Sequence, residues 1–252
     1  MQICGERTAA LTSGFVIRRP TRRWYVRLRS HDAGAGPTVV GPATRRHRRP
    51  GSRPAVAGNG PPMSRTYAVG YFVGSLSSTS INRVLSKALI ALAPDDLEFI
   101  ELPIGNLPLY SPDYDADYPP EARALKEAIA GVDAVLFVSP EYNRSIPGAL
   151  KNAIDWASRP WGQNSFDHVP AAVIGASVGS IGTAVGQQSL RAVLSFCNAR
   201  QMTSPEAYIH YSPDVFAPDG TVRDEATAEF LRGYMHEFHD HLVRVLTVLP
   251  RG

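Results

Sequence analysis

From residue 63 onward the chain alternates apolar runs with amphipathic stretches. Residues 66–73 form an almost continuous apolar run that ends at Gly74, and similar runs recur at 97–102, 134–139 and 171–176, with a weaker one near 202–204. Such runs are typical of strands buried on both faces of a parallel sheet. The pattern therefore predicts five strands.

Helical patterns lie between these runs, at residues 80–92, 120–130, 147–158 and 183–198. A last amphipathic stretch contains apolar residues at intervals of four, three, four and three positions: Leu231, Met235, Phe238, Leu242 and Val245. Strict strand–helix alternation predicts right-handed crossovers and an α/β fold with one doubly wound parallel sheet and helices on both faces. Ligands of such sheets bind beyond the carboxyl ends of the strands, so we expect function in the loops after strands one, three and four.

Residues 1–62 differ in character from the rest of the 252-residue chain. They contain 12 arginines, no lysine and two acidic residues, with many Gly and Pro and no sustained hydrophobic period. Such a segment buries too little apolar surface to offset its ordering entropy, so we expect a disordered basic extension ahead of a domain at 63–252. An over-extended translation start at Met63 is the favoured interpretation. A nucleic-acid or anionic-lipid arm and a twin-arginine signal, which lacks its apolar region here, are the alternatives.

The remaining composition excludes several classes of protein. Two cysteines, Cys4 and Cys197, are too few for a disulfide framework and too far apart for a zinc site. No stretch reaches the ~18 apolar residues of a membrane span, so we expect a cytoplasmic protein with no membrane contact. His236, His239 and His241 on the last helix are interpreted as a solvated face, and no metal site is predicted.

The loop after strand one is rich in hydroxyl groups and leads into a helix. Residues 74–82 read Gly-Ser-Leu-Ser-Ser-Thr-Ser-Ile-Asn, with Ser75, Ser77 and Ser80 among the hydroxyls. Hydroxyls and free N–H groups beside a helix N-terminus suit a phosphate, although a Ser-rich turn that only caps the helix fits equally well. No Walker or Rossmann glycine motif is present, so the phosphate would belong to a bound mononucleotide.

The loops after strands three and four have features of a pocket for a flat ring. In the first of them Pro140 ends the strand, Ser145 can cap, and Pro147 begins a helix, which predicts a rigid loop presenting N–H groups and the Tyr142 ring to a heterocycle. Two glycines in residues 177–183 permit close backbone approach, or a turn with positive φ. The tyrosines of the long acidic loop, Tyr110, Tyr114 and Tyr118, are expected to pack internally more than to line a substrate mouth.

Residues 140–155 contain the pattern Pro-Glu-Tyr-Asn-x-Ser-x-Pro-Gly-x-x-Lys-Asn-x-x-Asp. With it, the chain from residue 63 to about 248 resembles the NADPH-dependent FMN reductase family of flavodoxin-like proteins, which includes chromate, quinone and azobenzene reductases. The resemblance implies a 2-1-3-4-5 strand order, non-covalent FMN, and NADPH or NADH as co-substrate. It also implies a small-molecule electron acceptor (quinone, free flavin, chromate or azo compound), ping-pong hydride transfer at the flavin N5, and a homodimer or homotetramer.

The same resemblance assigns residues to the cofactor and leaves the chemistry to the flavin. It implies that Ser75, Ser80 and Asn82 hold the FMN phosphate with the backbone of Ile81, that the Tyr142 to Ser145 loop donates backbone N–H groups to the ring, and that Ser177 and Gly179 close the other side. The residues expected to border the isoalloxazine are Pro140, Glu141, Tyr142 and Asn143.

One position departs from the family pattern. Relatives commonly have Arg where this chain has Ser77, so a cation near the phosphate is lost, and we expect either weaker FMN retention or compensation by Arg83 or a neighbouring subunit. A non-catalytic flavodoxin-like electron carrier or FMN-binding sensor remains the alternative function.

Overall fold

The computed structural model describes residues 65–250. The predictions for residues 1–62 lie outside this range. Its strands are β1 (Tyr67–Val73), β2 (Leu97–Glu101), β3 (Ala134–Val138), β4 (Pro170–Ser177), β5 (Arg200–Gln201) and β6 (Tyr208–His210). Its α-helices are α1 (Ile81–Ala91), α2 (Pro120–Ala130), α3 (Gly148–Ala157), α4 (Ala184–Phe196) and α5 (Glu225–Val248), and a 3-10 turn spans Pro112–Tyr114.

The sheet is entirely parallel and has the predicted strand order, β2-β1-β3-β4-β5. Val73 pairs with Val138, and Val138 with Ile174, so β1, β3 and β4 run in register toward the same edge. The carboxyl ends of β1 and β3 therefore stand side by side, and β4 extends past them. The loops expected to contain the site all begin there.

Two buried clusters cover the faces of the sheet. One contains apolar side chains of α2, α3 and α4, and the other contains those of α1 and α5. Every residue of β3 is buried, which explains why its sequence is apolar without alternation. The helices thus lie on both faces, as the doubly wound pattern predicts.

The fifth position in the sheet is filled by two short strands, not by one strand near residues 202–204. β5 pairs with the start of β4, the N–H of Met202 still donates to the carbonyl of Ala171 at 2.8 Å, and β6 then pairs with Gly175–Ser177. Pro205 lies between the two strands and has no N–H to donate to a ladder. The weak apolar run at 202–204 therefore marks the exit from the sheet.

Tyr110 and Tyr118 of the acidic loop pack internally, as expected, whereas Tyr114 touches the same ring but is 43% exposed. The rings of Tyr110, Tyr114 and Tyr118 lie 5.1, 5.8 and 5.0 Å from the Trp156 ring, centroid to centroid. The indole N–H of Trp156, which is fully buried, donates to the carbonyl of Pro108 at 2.7 Å. These contacts fix the long loop against α3.

Other side-chain expectations are met only in part. Lys151 and Asp155, the Lys and Asp of the 140–155 pattern, form an ion pair one helical turn apart, at 2.7 Å. His239 is partly buried and bonds to Asp96 at 2.9 Å, and His241 to the carbonyl of Arg200 at 2.7 Å, so only His236 belongs to a fully solvated face. The histidines differ from the prediction because α5 packs its flanks onto the loop before β2 and onto β5.

Between residues 65 and 250, no group of three or more His, Cys, Asp or Glu side chains is arranged to hold a metal ion. None of the helices in that range combines the length and hydropathy that crossing a bilayer requires. Cys197 is buried, and burial raises the pKa of its thiol.

The close approach of β3 to β4 gives a first prediction. A Cβ on Gly175 would overlap the carbonyl of Ser139 and approach Thr183 Oγ1 to 2.5 Å. Gly175→Ala is therefore expected to lower the free energy of unfolding by about 2–4 kcal/mol, measured by urea denaturation.

Gly148→Ala is the matched control. Nothing lies within 4 Å of a Cβ built on Gly148, and the residue is helical. This substitution should be neutral or stabilise by up to about 1 kcal/mol. Equal effects of the two substitutions would contradict the packing described here.

Candidate functional site

The loop between β1 and α1 presents free donors at the helix N-terminus. Ser80 caps α1, because its Oγ accepts the N–H of Arg83 at 3.3 Å. Ser75 is buried and its Oγ accepts the N–H of Ser77 at 3.3 Å, whereas Ser77 is exposed and its Oγ lies 3.1 Å from Thr79 Oγ1. Within residues 65–250, the N–H groups of Ser78, Ile81 and Asn82 have no acceptor, and the first turn of α1 has no acidic residue.

Asn82 has a structural function in the described part of the chain. Its side-chain amide donates to the carbonyl of Ala176 and accepts the N–H of Ala176, both at 2.9 Å, and it is 1% exposed. The oxygen and one of the two Nδ2 hydrogens are used in this way, which leaves Asn82 a second Nδ2 hydrogen and its backbone N–H as donors for an anion. The pair of bonds fastens α1 to the end of β4, a structural role that the sequence does not show beside the phosphate role that the resemblance implies.

The loop after β3 closes through a two-residue turn. The N–H of Tyr142 donates to the carbonyl of Ser145 at 3.1 Å, and the N–H of Ser145 donates back at 2.9 Å. Asn143 and Arg144 between them have φ of 51° and 64°, the left-handed region that Asn tolerates better than most residues. Two hydrogen bonds close the loop, so within residues 65–250 only the N–H groups of Asn143 and Arg144 remain for a ligand, not all four. Pro140 accepts a hydrogen bond from Ser139 Oγ at its carbonyl, at 2.9 Å.

Glu141 reaches across to the N-terminus of α4. One carboxylate oxygen accepts the N–H of Gly186 at 2.9 Å, and the other pairs with Arg144 at 3.0 Å. Thr183, the residue before α4, makes no side-chain cap, so Glu141 supplies the charge that this helix end favours. The side chain of Glu141 is 7% exposed, so it is a cap partner more than a solvated charge.

Gly186 makes this contact possible. A Cβ on Gly186 would lie 3.1 Å from both Glu141 Cγ and the Ser145 carbonyl. The sequence analysis missed this residue, and the only signal was a glycine in the first turn of a predicted helix.

The two glycines of the loop after β4 have different roles. Gly182 has φ of 62° and packs against the backbone of Tyr208, so it serves the turn. Gly179 is exposed, its N–H donates to Ser177 Oγ at 3.1 Å, and a Cβ there would meet only that oxygen within 4 Å. Gly179 is therefore the position that leaves backbone open toward a ligand.

Exposed apolar side chains occur in all three loops. Leu76, Tyr142, Val178 and Ile181 are 60, 50, 71 and 45% exposed. Tyr142 Oη lies 3.5 Å from Ser75 Oγ, so the first two loops touch. Large apolar groups exposed at one edge of a sheet mark a binding surface, and the sequence analysis missed three of them because single apolar residues in polar loops give no periodic signal.

A bidentate ion pair borders the first loop. Arg83 donates from Nη1 and Nη2 to the two oxygens of Glu101 at 2.8 and 2.9 Å, and Tyr71 Oη donates to Glu101 at 3.3 Å. The Arg83 hydrogen bonds hold the pKa of Glu101 below its usual value, and burial is the main reason that the pKa of Tyr71 is raised. Arg83, the residue named as a compensating cation, is thus paired with a carboxylate of its own chain while 40% exposed.

These donors and apolar groups fit FMN. The capped helix end, without a carboxylate of its own, suits a phosphate. The Tyr142 ring and the free N–H groups of the turn suit a flat heterocycle with carbonyl oxygens.

The Asn82 bonds give a second prediction. Asn82→Asp replaces the donating amide with a carboxylate that cannot bond to the Ala176 carbonyl. It should lower the free energy of unfolding by about 2–3 kcal/mol in urea denaturation at neutral pH. Asn106→Asp makes the same change at an exposed residue without a side-chain hydrogen bond in the described range and should change stability by less than about 0.5 kcal/mol. A stable Asn82→Asp variant would refute the structural role of this amide.

Comparison with known proteins agrees with this geometry. Residues 67–214 match the NADPH-dependent FMN reductase family. A 2-hydroxy-1,4-benzoquinone reductase from Burkholderia sp is 49% identical over 166 residues, covering 66% of this chain and 91% of that protein. A quinone reductase from Pseudomonas putida is 44% identical over 177 residues, covering 70% and 95%.

A solved structure with the same fold is similar over the same region. The flavoenzyme NAD(P)H:(acceptor) oxidoreductase FerB from Paracoccus denitrificans superposes with a TM-score of 0.69 at 48% identity, covering 71% of this chain and 98% of that one. The chain therefore belongs to the NADPH-dependent FMN reductase family and is an oxidoreductase that uses FMN and NAD(P)H.

Proposed function

We propose that this enzyme transfers electrons from NAD(P)H to quinones through FMN held by the loops after β1, β3 and β4. The observation that carries the proposal is the meeting of free N–H donors and exposed apolar side chains at one edge of the sheet. Two of the relatives are named for quinone reduction, and quinones are flat and apolar enough to suit such a surface.

The phosphate of FMN belongs at α1 in this proposal. The N-terminus of α4 already has the Glu141 carboxylate, whereas the first turn of α1 has no acidic residue. A second anion beside Glu141 would be repelled, but at α1 it meets the helix dipole and free N–H groups. The ligands would be the exposed hydroxyl of Ser77 and the backbone N–H groups of Ile81 and Asn82, with Ser75 and Ser80 shaping the loop.

The ring would then lie toward the other two loops. Tyr142 supplies an apolar surface, and the free N–H groups of Asn143 and its neighbour can donate to ring carbonyls. Pro140, Glu141 and Ser145 fix that loop, and Ser177 and Gly179 leave open backbone on the opposite side.

Bound FMN supplies the redox chemistry, since it accepts a hydride from NAD(P)H and passes two electrons on. The overall reaction consumes NAD(P)H, one proton and a quinone and yields NAD(P)⁺ and a hydroquinone. The protein's part is to orient the partners, and the exposed side chains of Leu76, Val178 and Ile181 offer them one shared surface. Nicotinamide and quinone would use it in turn, which is ping-pong turnover.

Anaerobic reduction tests the enzyme against the electron-carrier alternative. Adding NADPH to the FMN-loaded protein without oxygen should rapidly bleach the flavin absorbance, and a benzoquinone should restore it. Chromate and an azo dye, added separately, measure the breadth of the acceptor range. Flavin that stays oxidised with both NADPH and NADH would support the carrier and overturn the proposal.

Initial rates test the shared surface. With NADPH and a quinone varied together, double-reciprocal plots should be parallel, because the two substrates occupy the same place in turn. Intersecting lines would show that both bind at once and would contradict a single surface.

A further inference from the structure

We propose that Arg83 is the cation that pairs with the FMN phosphate, and that Glu101 competes with the phosphate for it. Glu101 then limits how tightly the chain holds FMN. The inference rests on the proposed placement of the phosphate at the N-terminus of α1.

The first loop has no positive side chain of its own. No Lys or Arg occurs from Gly74 to Asn82, and Arg83 is the next residue. Its backbone N–H bonds to the Ser80 cap, and its side chain lines a cavity of about 190 Å³ together with Ser75 and Leu76. Arg83 therefore borders a cavity next to the loop that would hold the phosphate.

In this structure the guanidinium of Arg83 is hydrogen-bonded to Glu101. The pair is bidentate, and the lowered pKa of Glu101 keeps it charged at neutral pH. Both side chains are open to solvent, at 40% and 37% exposure, so water screens the pair and exchanging the partner costs little.

A phosphate monoester can take the place of the Glu101 carboxylate as the partner of Arg83. It carries about −1.5 to −2 charges at pH 7 and accepts the same fork of two N–H donors. Arg144, the cation of the loop after β3, pairs with a Glu141 carboxylate that is only 7% exposed and fixed at α4. Arg144 belongs to the loop that the proposal places beside the ring, whereas Arg83 belongs to the first turn of α1, where the proposal places the phosphate.

The test compares FMN with riboflavin, which has the same ring and no phosphate. The full chain is freed of flavin and titrated with each, following flavin fluorescence. Glu101→Gln should bind FMN about threefold to tenfold more tightly than the unchanged chain, with riboflavin affinity unaltered. Glu98→Gln is the matched control, since it removes the same charge from β2 and Glu98 has no ion pair or hydrogen-bonded side chain in the described residues; it should leave both affinities unchanged.

A second variant distinguishes two explanations of tighter FMN binding by Glu101→Gln. One is the release of Arg83, and the other is the loss of repulsion between the Glu101 carboxylate and the phosphate. Arg83→Gln should weaken FMN binding, and Glu101→Gln should have little further effect in that background. An FMN gain that persists without Arg83, extends to riboflavin, or is absent would overturn the proposal. If Arg83→Gln does not fold, the riboflavin comparison on Glu101→Gln decides alone. Failure of the unchanged chain to prefer FMN over riboflavin would instead refute the phosphate site under "Proposed function".

Discussion

Two buried side chains hold the candidate site together by bonding across the loops that form it. Asn82, at the start of α1, bonds twice to Ala176 at the end of β4. Glu141, in the loop after β3, bonds to Gly186 in the first turn of α4. Because a parallel sheet brings its carboxyl ends to one edge, these few bonds are enough to fix three distant segments of sequence relative to one another.

The two helix N-termini at this edge of the sheet differ in the charge beside them. Glu141 occupies the end of α4, so that helix dipole is already satisfied by a carboxylate, and the end of α1 is left with hydroxyls and free N–H groups. Negative charge is therefore disfavoured at one helix and favoured at the other. In the proposed function this asymmetry gives the bound mononucleotide its direction, with phosphate toward α1 and ring toward Tyr142.

Much of the architecture could be predicted from the sequence because apolar runs and helical periods report burial directly. The strand order came from the family resemblance and is confirmed by the sheet. The split of the fifth strand was missed because β5 and β6 have two and three residues, too few for a period. Within the site, hydroxyls and glycines revealed the loops but not their partners, since Asn82 and Glu141 bond to residues 94 and 45 positions away.

The ion pair of Arg83 and Glu101 is another long-range contact that the sequence alone does not reveal. A sequence motif can show that a cation is missing at Ser77, but it cannot show that the nearest replacement is held by a strand 18 residues away. The oligomeric state stays a prediction, because it depends on contacts between chains.

The central claim is that the loops after β1, β3 and β4 form one FMN site with a fixed direction. The most direct measurement is a crystal structure of the protein with FMN bound. The account predicts the phosphate within hydrogen-bond distance of the N–H groups at the start of α1 and the ring against Tyr142 and Gly179. A phosphate at the α4 end beside Glu141, or FMN bound away from this edge of the sheet, would contradict it.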